Sequence, residues 1–259
     1  MINFFRKTRK KLADDNMFFK YARYAIGEIL LVVVGILIAL QLNNWNEERK
    51  RSSQEHSILL SLKSDFEDSK ERLLFTMKAQ SEVVRKSNAL IQIHQGTTPL
   101  PPNDSIKDYM AFGAFGWYRA ELITGAYDAL LNSGNSELIK NRDLIRKLAE
   151  YHSIVNSGFE DQENSMNLLN NLEIIAAPVV LPLALPILNK RVGLDMIASP
   201  KEDEAIEYLM DQDAFFGHLY EKTLLEHLRY TIQQDVLARI EDILSILNNE
   251  LGARKITKD

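Results

Sequence analysis

From Leu59 the apolar positions Leu62, Phe66, Leu73, Met77 and Val84 follow at steps of three, four or their sums, which describes one face of an α-helix. The pattern predicts a helix that runs to about His94. Ser52 and Glu55 fit a capping box just ahead of it, so a helix arriving from the N-terminal side either breaks there or continues. Pro99, Pro101 and Pro102 make Gln95 to Asn103 a connector, because proline lacks the amide donor and clashes with the preceding turn. A second helix opens at Asp104 or Ser105 and passes into Ala111 to Tyr118, AFGAFGWY, where two glycines weaken it. Thr124 is placed to cap a short helix ending at Gly134, and Asn141 a long one reaching about Ile175.

Pro178, Pro182 and Pro186 interrupt the apolar run Ile174 to Leu188. It is too short for a membrane span, and its spacing predicts a buried extended connector, or else a loop that touches membrane or partner. Ser199, Pro200 and Glu202 suit the N-cap, N1 and N3 of a following helix. The last helix is predicted over Asp213 to Leu251, with its stripe at Leu225, Leu228, Ile232, Val236, Ile240, Ile243, Leu247 and Leu251, and Gly252 as stop. Alternating β-branched runs are missing throughout. The expected fold is all-α: an antiparallel helical bundle of three long helices with shorter ones between them.

Ahead of that body lies Ala25 to Leu42, AIGEILLVVVGILIALQL, in which Glu28 is the only charge. At ~0.3 to 0.6 kcal/mol each, its Leu, Ile and Val residues favour bilayer insertion by roughly 4 to 7 kcal/mol, more than one Glu near the edge costs. Tyr24 to Trp45 spans about 32 Å of helix, close to the ~30 Å hydrocarbon thickness, with an aromatic ring at each border. The segment after it, Gln41 to Trp45, lacks a small-x-small cleavage site, so an uncleaved signal anchor is expected. Arg6, Lys7, Arg9, Lys10, Lys11, Lys20 and Arg23 precede the span, whereas Arg49, Lys50 and Arg51 follow it closely. The positive-inside rule then puts residues 1–24 in the cytoplasm as a basic tail, residues 25–45 across the inner membrane, and residues 46–259 in the periplasm.

The stretch Lys11 to Lys50, KLADDNMFFKYARYAIGEILLVVVGILIALQLNNWNEERK, resembles the opening of a family of uncharacterised single-pass membrane proteins, a domain of unknown function, from Gram-negative bacteria of the Bacteroidetes type. Ala126 to Leu144, AYDALLNSGNSELIKNRDL, is similar to the same family's Tyr-x-x-Leu, Ser-Gly and Leu-Ile-x-Asn stretch, with Asn132 in a position usually held by serine. The resemblance implies a membrane location and a helical body. It implies no activity and no catalytic residue.

Charge sharpens the picture. The tail holds seven of the 31 basic residues and two of the 36 acidic ones, which leaves a body with 24 basic and 34 acidic side chains, unsuited to wrapping nucleic acid. Cysteine is absent, which excludes disulfide scaffolds, thiolate metal sites and cysteine nucleophiles. His56, His94, His152, His218 and His227 have neither HExxH spacing nor a glutamate three residues ahead, so no metal or other cofactor is expected. Tyr109, Phe112, Phe115, Trp117 and Tyr118 form the densest aromatic patch, a candidate ligand or partner surface whose plainer reading is core packing. Glu28 within the span is a candidate functional charge, whose plainer reading is a side chain near the edge that reaches toward Tyr24 and Arg23. Gly35 and Ala39, four residues apart on one face of the span, are candidates for close helix contact in a homodimer.

The function expected from these features is non-enzymatic: an anchored helical protein that binds or organises another protein of the bacterial envelope. The alternative is a periplasmic small-molecule sensor that signals through a partner, since the short cytoplasmic tail holds no output domain. An enzyme assembled from distant carboxylates ranks third.

Overall fold

The computed structural model describes residues 17–159, 162–191, 193–194 and 199–256; the predicted basic tail lies outside them up to residue 16. The chain divides into two compact units, Met1–Ser57 and Ile58–Asp259. Helix α1, Met17–His94, is unbroken at Ser52 and Glu55, so that pair starts no helix, and it ends at the predicted His94.

Within the first unit the large apolar side chains from Ile26 to Leu42 are all exposed, from 42% at Val34 to 75% at Leu31. No part of the most apolar window is buried, and by length and composition the helix is able to cross a membrane.

In the second unit residues 58–94 of α1 are followed by α2 (Asn103–Tyr109), a π-helical turn (Met110–Ala114), α3 (Gly125–Asn132) and a 3-10 turn (Asn135–Leu138). Then come α4 (Arg142–Asn156), α5 (Gln162–Ala176), a second 3-10 turn (Ala177–Val179), α6 (Pro186–Arg191), α7 (Glu202–Met210) and α8 (Asp213–Ile256). The described residues contain no strand, and the fold is all-α. Helices α1 and α8 run antiparallel: Lys70 pairs with Glu241 at 2.7 Å, Gln80 with Gln233 at 2.8 Å, and His94 with Asp213 at 3.4 Å. Helix α4 is also antiparallel to α8, joined by Asn141 to Glu250, Lys147 to Asp242 and Glu150 to Arg239.

Two apolar clusters fill this unit. One gathers Leu62, Phe66 and Leu73 of α1, Leu144 and Leu148 of α4, and Ile240, Ile243 and Leu247 of α8. The other gathers Leu90 and Ile106 with Leu172, Leu209, Phe215 and Leu219.

Several boundaries differ from expectation. The long helix predicted from Asn141 is two, α4 and α5, because Gly158 takes φ +68° after Ser157 and turns the chain. Asn141 does cap α4, its side chain accepting the Leu144 amide at 3.0 Å. Thr124 stands at the N-cap of α3 without capping it; the Asp65 carboxylate of α1 accepts the Ala126 amide at 2.7 Å instead. Gly134, the predicted end of the short helix, takes the left-handed conformation that glycine adopts most easily, at φ +67°, but Gly252 does not, so α8 passes through it. Helix α7 starts at Glu202 behind a turn in which the Ser199 hydroxyl accepts the Lys201 amide at 3.2 Å, two residues later than the Ser-Pro-x-Glu pattern predicts. The Ile174 to Leu188 run is neither extended nor wholly buried: Val179 and Leu183 face the core while Ile174, Val180 and Leu181 face out.

Candidate functional site

The largest departure from the pattern lies in α8. Between Leu219 and Val236 its inward positions hold Lys222, Glu226, Arg229 and Gln233, none more than 1% exposed. The predicted stripe members Leu225 and Ile232 are only half-buried and Leu228 faces outward at 52%, beside Leu224 at 53% and Tyr220 at 55%. From Val236 to Leu251 the predicted stripe is the core face. The buried polar run occupies the waist between the two apolar clusters, where α1 contributes Gln80 and α5 contributes Ser165, both fully buried.

Every acceptor of Glu226 is used. Arg229 Nη1 donates to both carboxylate oxygens at 2.9 Å, Ser165 Oγ donates to Oε1 at 2.6 Å, and Gln80 Nε2 donates to Oε2 at 2.8 Å. Gln80 Nε2 also reaches the Glu226 carbonyl at 3.0 Å, and Gln80 Oε1 accepts from Gln233 Nε2 at 2.8 Å. Desolvating an ion pair costs several kcal/mol per ion, and here both carboxylate oxygens and both terminal guanidinium nitrogens are engaged, which offsets that cost.

The two cations also hold backbone. After the π-helical turn the chain is non-helical to Thr124, so its carbonyls need donors from elsewhere. Lys222 Nζ donates to Gly116 O at 2.8 Å and more weakly to Gly113 O at 3.4 Å, and Arg229 Nη2 donates to Tyr118 O. Both glycines are required by close approach. A Cβ on Gly113 would lie 2.8 Å from Lys86 Cβ and the Ser87 amide nitrogen; one on Gly116 would lie 2.5 Å from Phe112 O and 2.7 Å from Val83 Cγ2. Burial pulls the Lys222 ammonium down to about 8, partly opposed by Glu226 and reinforced by Arg229.

All five members of the aromatic patch are half-buried, and Trp117 and Tyr118 adjoin this network through Arg229. Lys86 Nζ lies over the Phe112 ring at 4.7 Å while pairing with Asp108 at 2.8 Å. Phe115 meets Phe215 edge-on at 6.4 Å between centroids, and Tyr109 packs against the second apolar cluster. The Arg229 guanidinium lies over Trp117 at 5.3 Å, where a cationic ligand would otherwise sit, and the indole N–H is enclosed without an acceptor. Tyr118 lines a surface hollow with Arg72, Phe75 and Arg119. Sequence reasoning found these rings but not the Lys222, Glu226 and Arg229 cluster behind them. The available signal was their spacing of four and three, which places three charged residues on one helical face. Gly35 and Ala39 are exposed in the first unit, and a Cβ on Gly35 would touch nothing.

Among the described residues no group of three or more His, Asp or Glu is arranged to hold a metal ion. A cleft of about 1000 Å³ opens at the end of α1, floored by Ile93, Ile206 and Met210 and bordered by Leu100, Tyr208, Asp203, Glu207 and Asp211.

These features define an all-α protein with an exposed apolar helix and a body in which the buried Lys222, Glu226 and Arg229 hydrogen-bond internally. Residues 28–98 match a family of unknown function (DUF6090), while the second stretch that suggested such a family, Ala126 to Leu144, lies outside the match. No curated protein and no solved structure matches the chain.

Proposed function

We propose that the chain is a membrane-anchored, non-enzymatic binding or assembly protein of a bacterial envelope. The observation that carries the proposal is the uncovered apolar surface of α1 from Ile26 to Leu42, which water disfavours and the lipid bilayer accommodates. With the basic residues ahead of the span, the N-terminus is cytoplasmic and the body periplasmic. The role assigned to the body rests on its chemistry. Its buried carboxylate and guanidinium are engaged with each other and its buried ammonium with backbone carbonyls, an arrangement that builds a scaffold rather than exposes an acid or base. Partners are the bilayer, another envelope protein, and a second copy packed through Gly35 and Ala39, where small side chains let helices approach.

Alkaline phosphatase fused after Asp259 is expected to be active in cells, and the chain is expected to stay with membranes through an alkaline carbonate wash. Release by carbonate, or an inactive phosphatase alongside an active cytosolic reporter, would reject the anchored topology. Crosslinking through a cysteine placed at Leu42 tests the second copy: a dimer band that Gly35→Ile weakens supports it, and a band unaffected by that change, or no band, removes it.

A further inference from the structure

Helix α7 carries Asp203, Glu207 and the C-cap Asp211 at intervals of four, so all three carboxylates lie along one face, about 6 Å apart per step, and all three border the same cleft. The arrangement is electrostatically unfavourable in two ways. Like charges four residues apart on a helix repel, and Glu207 and Asp211 stand at the C-terminal end, where the helix dipole favours cations. The fold does little to relieve it. Asp203 accepts one hydrogen bond from Asn103 at 2.6 Å, while Glu207 and Asp211 pair with no cation among the described residues. The nearby Lys107 is held by Asp104 at 2.7 Å and Glu202 at 3.1 Å. The one basic side chain lining the cleft, His94, is stacked on Phe216 at 3.8 Å and bonded to Met210 O at 3.0 Å. Beside this acidic row, Leu100 is 58% exposed and Tyr208 40% exposed, so the cleft joins a ladder of negative charge to an apolar flank.

We propose that this cleft docks a basic amphipathic helix of a partner protein. Lys or Arg at every fourth position of a helix repeats at the same ~6 Å as the carboxylates, and an apolar face next to that row would rest on Leu100 and Tyr208. Charge complementarity of this kind sets partner choice and speeds association. The inference rests on the binding role above and supplies the chemistry of the partner.

The test uses the full chain in a neutral detergent, with a fluorescent amphipathic peptide bearing Lys at every fourth position and Leu beside each, and a second peptide with Glu in place of Lys. Saturable binding of the Lys peptide alone is expected, weakened at least about tenfold by Glu207→Gln with Asp211→Asn, and by added salt. Both substitutions are on the surface and remove repulsion, so the melting temperature should hold or rise, which separates lost binding from lost folding. Leu100→Ser, which removes the apolar contact without changing charge, should weaken binding as well. Equal binding of the two peptides, or binding unchanged by the double substitution, overturns the proposal, as does complete displacement of the peptide by millimolar calcium, which would make the acidic row a cation site. If crosslinking in cells still captures an envelope protein when the peptide fails, the binding role stands and this cleft is not its site. If the peptide binds while carbonate releases the chain, the anchor fails and the cleft stands.

Discussion

Gln80 and Glu226, 146 residues apart, meet in the waist of the body, where one amide group donates both to the carboxylate at 2.8 Å and to the backbone carbonyl of the same residue at 3.0 Å. The contact ties α1 to α8 between two apolar clusters, and it matters because both side chains are fully buried.

Removing the carboxylate while leaving the guanidinium should therefore be severe. Glu226→Ala strands Arg229 in a buried position, and a loss of about 3 to 5 kcal/mol is expected. Glu226→Gln with Arg229→Met, which removes both charges, should cost less than the single change. Urea denaturation of the full chain in detergent, followed by circular dichroism, measures both; a double variant less stable than Glu226→Ala would contradict the account.

Lys222 gives the body a specific pH dependence. Burial pulls its ammonium down to about 8, below the ordinary value near ~10.4. Below pH 8 folded and unfolded chains both carry the proton, and the folded state bears the full cost of a buried charge. Between about 8 and 10.4 the unfolded chain keeps more protons, so stability should rise with pH, by at most ~1.4 kcal/mol per unit. Tyr151, pushed up by burial to about 12, opposes this only where the unfolded phenol starts to ionise, near ~10. Lys222→Met should lose the rise between pH 8 and 10, and equal slopes for the variant and the natural chain would refute the assignment.

Close approach at the π-helical turn predicts a cost for one added methyl. Gly113→Ala forces a Cβ against the α1 backbone at Ser87, and overpacking of this kind costs about 1 to 3 kcal/mol. The displaced aromatic segment should also change the near-ultraviolet signal of Trp117. An unchanged melting curve together with an unchanged signal would show that the turn yields freely.

The inverted face of α8 is open to a direct comparison. Leu228→Lys, on the outward side, is expected to change stability by no more than about 0.5 kcal/mol. Ile243→Lys, buried at 1% exposure, places an unpaired charge in the core and should unfold the body or come close to it. Similar losses for the two would show that Leu228 is covered.

The cap of α4 carries a smaller prediction. Asn141→Ala loses the bond from the Leu144 amide and the bond to Glu250, and about 1 kcal/mol is expected from the cap alone. Asn141→Ser should recover most of the cap contribution, and a serine variant as unstable as the alanine one would assign the loss to Glu250 instead.

The sequence by itself determined the helical class, the exposed apolar segment, the end of α1 at His94, the cap at Asn141, the left-handed Gly134 and the core stripe from Val236 to Leu251. Each of these is written in local spacing or local backbone chemistry, which neighbouring residues decide among themselves. Tertiary structure alone decided that Lys222, Glu226, Arg229 and Gln233 turn inward while Leu224 and Leu228 turn out. Periodicity assigns apolar residues to the core and has no means of knowing that Gln80, Ser165 and the carbonyls of Gly113, Gly116 and Tyr118 await charged partners there. Those acceptors and donors come from segments up to 153 residues away in the chain, and only when the helices pack do they satisfy buried charge well enough to offset its desolvation.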